Sequence, residues 1–376
     1  MIVPPAVIIL TFAAFLPLQA TPKPQLACST PPNLGTFEQL SREADRARDE
    51  NRYQDAIRLY RQGLEIKPTW DEGLWSLSTL LYEKEQYSDA RDLLRRFVSR
   101  VPQAGPGWAL LGMSEFQTRE YSRVVDHLQR SRSLGLGDRK DMAQSVAYFA
   151  AVSLTRMEQY DNSMDLLYET VNAGRCDTAV QEAAGLAALR MPLLPAEIPP
   201  DRREMILLAG SGFCAAQMGQ QEDAEKQFRK MAEMYPNEPG VHFLFGTFLT
   251  NVRPEDGIRE LKREIEVSPF HVPVRLRLAD IYLKQQQPDQ ALPLAEEAVK
   301  LAPNEASPHM VYGEALAAKR DLARAIPELE KAREQGPDVV RVHFDLLRAY
   351  SAAGRPGDAN REKETIENLR RPGSEQ

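Results

Sequence analysis

The chain reads as an all-α protein, an α-solenoid of about nine helical hairpins, and three observations predict it. One pattern recurs every 34 residues: "YQDAIRLYRQGLEIKP" (53–68) and "YSDARDLLRRFVSRVP" (87–102) align Tyr53 with Tyr87, Ala56 with Ala90 and Pro68 with Pro102. A fixed period over most of a chain outweighs any local reading. Within each copy, apolar residues recur twice at helical spacing around a polar turn, the pattern of a helical hairpin. Each copy also keeps small residues at two slots where its helices would cross, and most close with a proline that stops the second helix.

The elements follow in order. Residues 1–20 read as a signal peptide. The apolar run "AVIILTFAAFLPL" (6–18) is short of the roughly 20 residues a spanning helix needs and suits an export signal. It departs from the usual form in two ways: no Lys or Arg precedes it, and Leu18 is large for its place before a cleavage at Ala20. Export to the periplasm or the exterior is the expectation. An uncleaved anchor, the one membrane contact foreseen, is the alternative. Residues 21–36 read as a flexible linker, in which Cys28 lacks the upstream pattern of a lipid-attachment site.

Copies one to four occupy 37–173, with Ala44, Ser78, Gly112 and Ala151 at the small slot of the first helix. Residues 174–204 break the period. They hold one lone helix, "DTAVQEAAGLAALR" (177–190), and a return loop with Pro192, Pro195, Pro199 and Pro200, through which no helix can run. A rigid spacer at a seam is the first reading of this loop; a hinge or partner-contacting loop is the second. Copies five to nine fill 205–369, starting near 205, 238, 272, 306 and 340, with Gly212, Gly246, Ala279 and Gly313 at the small slot. Leu347 stands there in the last copy and suggests looser, terminal packing. Pro236, Pro269, Pro303 and Pro337 close successive copies, and 370–376 reads as a disordered tail.

Composition narrows the function. With 47 basic and 54 acidic residues the net charge is −7, which argues against a nucleic-acid binder. Arg91, Arg95 and Arg96 read as a solvated helix face. His242, His309 and His343 fall in the fourth slot of their copies, where Trp108 sits in the third, and read as half-buried structural side chains. No His-Glu-x-x-His, phosphate loop or nucleophile elbow occurs, so neither catalysis, a cofactor nor a metal is expected. Three cysteines make no disulfide framework. Since each layer of a repeat stack touches only its neighbours, Cys176–Cys214 is the pair that could close after export, the alternative being two buried thiols.

The segments "WALLGMSEF", "LRLADIYLKQQQPDQALPLAEEAVKLAP" and "AIPELEKAREQGP" resemble the tetratricopeptide repeat family, and in that register the resemblance covers about four fifths of the chain. It implies a right-handed superhelix whose first helices line a groove for a protein or peptide partner. The groove slots would then fall at Trp75, Thr79, Tyr82, Met113, Phe116, Tyr148, Val152, Phe213 and Phe243, with Met310 and Phe344 beyond them. Aromatics there suggest an apolar docking surface; the alternative is that they pack against the inner wall. Ser41, Trp75, Ala109 and Tyr148 replace the Lys and Asn of members that clamp acidic tails, so that specialisation is not expected. The resemblance thus implies a non-catalytic scaffold. A component of an envelope assembly using its lateral faces, and a regulatory module of a separate enzyme, are the alternatives.

Overall fold

A computed structural model describes residues 36–370, and among them the chain forms 19 α-helices and one 3-10 turn, with no strand. The chain divides into two compact units, Met1–Ala224 and Glu225–Gln376. The expected signal peptide, the linker but for Thr36, Cys28, and the tail beyond Arg370 lie outside the described residues.

The first unit begins with four hairpins: α1 (Phe37–Asp49) and α2 (Tyr53–Ile66), α3 (Asp71–Glu83) and α4 (Tyr87–Arg100), α5 (Gly105–Gln117) and α6 (Tyr121–Leu134), α7 (Lys140–Arg156) and α8 (Tyr160–Asn172). It continues with α9 (Thr178–Ala188) and α10 (Arg203–Gln217), and the division between the units falls inside α11 (Gln221–Met234). Glycine and alanine are where the period puts them because the helices leave no room for more. A Cβ on Gly112 would stand 2.6 Å from the Leu128 side chain, and Ala44 and Ala151 are fully buried. Trp70 closes the first layer, edge-on to Phe37 at 5.1 Å and against the face of α3 that Gly73 leaves open.

The second unit holds α12 (Val241–Leu249) with α13 (Pro254–Val267), α14 (Val272–Lys284) with α15 (Pro288–Leu301), α16 (Ala306–Ala318) with α17 (Leu322–Gln335), and α18 (Val340–Ala352) with α19 (Pro356–Leu369). Its core runs through Leu261, Leu278, Leu329 and Leu346, all fully buried. Gly246 and Gly313 repeat the close crossing, their Cβ positions 2.8 and 2.6 Å from Leu261 and Leu329. Leu347, in the corresponding slot of the last copy, is half-buried and packed on the same core.

Two local devices end the helices. Lys67, Val101, Ser268, Ala302 and Gly336 leave helical backbone immediately before the closing prolines, since proline disfavours a helical residue ahead of it. Most hairpin turns pass through one residue in the left-handed region: Asn51, Glu85, Arg119, Glu158, Gln286 and Arg320 at φ 59–64°, and Gly219 and Gly354. The next amide then reaches five residues back, as from Gln86 N–H to the Leu81 carbonyl at 2.8 Å, and satisfies a carbonyl that the helix end would strand.

The structure corrects the reading of 177–190 as an unpaired helix. α9 packs on α10 at two glycines: a Cβ on Gly185 would lie 2.0 Å from the Ile206 carbonyl oxygen, and one on Gly210 1.8 Å from that of Gln181. Backbone meets backbone there, and a disulfide ties Cys176, two residues ahead of α9, to Cys214 in α10. The proline-rich segment is ordered against the rest of the unit: Arg156 donates to the Pro192 carbonyl at 2.6 Å and pairs with Glu197, whose carboxylate accepts the Leu194 N–H at 3.0 Å. Reducing the disulfide is expected to lower the stability of this unit by about 4 kcal/mol, given the loop it closes. Urea denaturation followed by tryptophan fluorescence, with and without reductant, measures it, because Trp70, Trp75 and Trp108 all lie in this unit.

Candidate functional site

In the first unit the expected groove is largely wall. Met113 is fully buried, Val152 is 1% exposed and Phe213 is 7% exposed, so these three offer a partner almost no surface. Met113 and Val152 sit where α5 packs on α7 and α7 on α9, while Phe213 belongs to the cluster around α9. The remaining first-unit residues are half-buried and lean on neighbours. Trp75 packs on Phe97 at 5.5 Å, and Thr79 turns its hydroxyl back to the Trp75 carbonyl. Tyr82 stands edge-on to Tyr87, and Phe116 lies between Tyr121 and Phe149. The Arg175 guanidinium lies over Tyr148, whose hydroxyl is pushed up to about 12 by burial. Burial likewise pushes the Tyr82 hydroxyl up. In the second unit Phe243 is half-buried, edge-on to His271 at 4.9 Å.

Two of the arginines read as a solvated face are in fact paired. Arg91 and Arg95 both bind Glu120, and Arg95 also donates at 2.9 Å to Glu115, a fully buried carboxylate of α5 that accepts His127 Nδ1 from its other side.

The fourth slot has a recurring task. His242, His309 and His343 are each buried, and Nε2 meets the carbonyl of Pro236, Pro303 and Pro337 at 2.9, 2.8 and 2.8 Å. A carbonyl only accepts, so Nε2 carries a proton. Nδ1 faces Glu260, Glu328 and Glu362 at 2.7, 2.6 and 2.6 Å. Trp108 makes the same bond to the Pro102 carbonyl with its indole N–H, and Arg275 fills the slot with bonds to Glu297 and the His271 carbonyl. In these five copies the slot therefore stitches the first helix to the segment that precedes it. Among the described residues no group of three His, Cys, Asp or Glu side chains could hold a metal.

The stitch made by His242 is pH-sensitive. The Glu260 carboxylate, with help from the Pro236 carbonyl, holds the His242 imidazole above its ordinary value despite burial. A raised pKa contributes stability that is complete below the unfolded value of about 6.5 and is lost as pH rises through the folded value. The destabilisation caused by His242→Gln is therefore expected to be larger at pH 5.5 than at pH 9, as urea midpoints at the two pH values will measure.

The first-helix face of the second unit differs in chemistry from that of the first. Arg341 of α18 reaches across two neighbouring first helices, donating to Glu314 of α16 at 2.7 and 3.0 Å and to Asp280 of α14 at 3.1 Å. Lys284 pairs with Asp280, and Arg348 with Asp345. Glu314 also faces Asp345; burial, and then this second carboxyl, push the Glu314 carboxyl up to about 7. On the same series of helices Arg277 donates to the Thr250 hydroxyl at 3.1 Å. The arginines at the rim are open, with half of the Arg341 and three quarters of the Arg348 side chain exposed.

Residues 276–340 and 313–362 match the family model described as tetratricopeptide repeat. The stretch from 276 to 362, within the second unit, thus matches tetratricopeptide repeats. Among solved structures, MamA 41-end from Desulfovibrio magneticus RS-1 is 21% identical, with a TM-score of 0.41 over 46% of this chain and 98% of that one. A MamA RS-1 double mutant is 21% identical, with a TM-score of 0.40 over 44% and 94%. Another MamA crystal structure is 17% identical, with a TM-score of 0.39 over 44% and 91%. No curated protein matches the sequence. The 34-residue register itself carried the signal that reading for aromatics missed: Asp280, Glu314 and Arg348 occupy one slot in three successive copies, with Asp345 one turn and Arg341 two turns away on the helix of Arg348.

Proposed function

We propose that this protein is an exported, non-catalytic tetratricopeptide scaffold that holds a segment of another protein on the first-helix face of its second unit. The observation that supports this reading is the contrast between the two units. The first-unit slots are filled by packed side chains, whereas α14, α16 and α18 offer an open, charged face that no helix of the second unit covers. A surface that keeps charges half-exposed above buried carboxylates suits recognition of a polar partner segment more than apolar capture. Export is supported by the Cys176–Cys214 disulfide, because disulfides persist in oxidising compartments.

Crosslinking of the tagged full chain in its native envelope fraction, with crosslinked residues mapped by mass spectrometry, tests the reading. Crosslinks to a partner concentrated on α14, α16 and α18 and lost in Arg341→Glu are the expected result. Crosslinks confined to the second helices or the turn edges would assign binding to the lateral faces. Recovery of the chain only from the cytosol, with its thiols reduced, would overturn export.

A further inference from the structure

Three buried side-chain atoms among the described residues have no hydrogen-bond partner: Thr247 Oγ1, Arg277 Nε and Asp345 Oδ2. Buried polar atoms are nearly always satisfied, so three exceptions require a cause. They are not scattered. All three lie on first helices of the second unit, on α12, α14 and α18, and Arg277 and Asp345 adjoin the side chains that meet across neighbouring first helices.

Asp345 is the most deeply placed, 4% exposed, with only Oδ1 engaged by Arg348. Its free oxygen is on the carboxyl that Glu314 faces. The cations present do not resolve this juxtaposition: Arg341 is divided between Glu314 and Asp280, Lys284 is taken by Asp280, and Arg348 reaches one oxygen of Asp345. Two carboxyls left face to face keep a proton between them, which is what a raised Glu314 indicates. A proton there stands in for a cation.

We infer that the Glu314–Asp345 carboxyl pair receives the side chain of a lysine or arginine carried by an extended peptide segment of a partner, lying across α12, α14, α16 and α18. The inference rests on the reading of this face as the binding surface and adds the partner's chemistry. A guanidinium or ammonium has donors for both carboxyls and displaces the shared proton to solvent. The orphaned Arg277 donor and the Thr247 hydroxyl match the carbonyls and amides of an extended backbone, which presents both at regular spacing. Neighbouring helices lie about 8–10 Å apart, so three steps from α12 to α18 span roughly 27 Å, or about eight extended residues.

A display library of random linear twelve-residue peptides, selected on the folded full-length protein at pH 8, tests it. Enrichment of Lys or Arg at one position of the selected peptides is expected, with affinity rising between pH 6 and pH 8 as the proton leaves the pair. In Glu314→Gln/Asp345→Asn, which keeps the shape and removes both charges, selected peptides should bind roughly 30-fold or more weakly. Circular dichroism confirms that this variant is folded, and Glu314→Gln alone gives an independent measure if it is not. Peptides enriched without a basic residue, or basic peptides that bind the variant equally well, would overturn this inference and leave the surface assignment standing. Failure to select any peptide that depends on Arg341 would overturn both.

Discussion

Gly210→Ala is expected to be among the most destabilising single substitutions in the first unit. The added methyl would stand 1.8 Å from the Gln181 carbonyl oxygen and 2.5 Å from its carbon, both of them backbone atoms that no rotamer change can clear. α9 and α10 would have to move apart, opening the cluster that holds Val180, Ala184, Phe213 and Cys214. Overpacking commonly costs about 1–3 kcal/mol, and a rigid backbone contact belongs at or above the top of that range. The matched control is Gly357→Ala in α19, where nothing lies within 4 Å of the new methyl and a gain of about 0.5–1 kcal/mol is expected. Tryptophan fluorescence in urea reads the first variant and circular dichroism the second. An unchanged midpoint for Gly210→Ala would mean that α9 does not sit where the structure places it.

The second large effect belongs to Glu264. This fully buried glutamate of α13 accepts the backbone N–H groups of Gly240 at 2.8 Å and Phe243 at 3.1 Å, and His271 Nδ1 at 3.0 Å. It thereby caps α12 from another helix, which α12 needs because its own N-cap is Gly240, a residue without a side chain to offer. Glu264→Leu leaves two amides and an imidazole buried without a partner, at an expected loss of about 3 kcal/mol. Amide exchange at Gly240 and Phe243 should accelerate in step. The pH dependence has a definite sign. Burial pushes the Glu264 carboxyl up, but the bonds from His271 and the two amides outweigh it and hold it below the usual carboxylate range. A depressed pKa contributes stability that is complete above the unfolded value of about 4.3 and is lost as pH falls through the folded value. Glu264→Leu should therefore cost progressively less as the pH is lowered below about 4.

The hairpins were legible because their causes are local and repeated. Ala279, Gly313 and the closing prolines mark helix crossings and helix ends by residue type alone, and α14, α16 and α18 begin at Val272, Ala306 and Val340, where the period puts them. The pairing of α9 with α10 was not legible, because neither Gly185 nor Gly210 stands in a slot that recurs as a small residue from copy to copy. Glu264 escaped for a related reason: its partners lie 21 and 24 residues back and are backbone amides, which leave no trace in side-chain identity. The expected groove residues lie on α3, α5, α7, α10 and α12. Whether a slot faces open space or a neighbouring wall depends on how tightly successive layers pack, and a single copy of the pattern does not carry that. Met113 and Arg348, in the same slot of different copies, end in opposite surroundings for this reason, the first fully buried and the second largely exposed.

The left-handed turns have an evolutionary consequence. Asn51, Glu85, Arg119, Glu158, Gln286 and Arg320 each hold a backbone conformation that costs an ordinary residue on the order of 1 kcal/mol relative to glycine, and all six are exposed. The geometry is imposed by the helices on either side, so the side chain at the turn is free to drift. A lineage weakened by damage in any layer thus has several surface positions at which one codon change to glycine restores part of the loss, none of them in contact with another. Repetition makes this array tolerant of mutation as well as long.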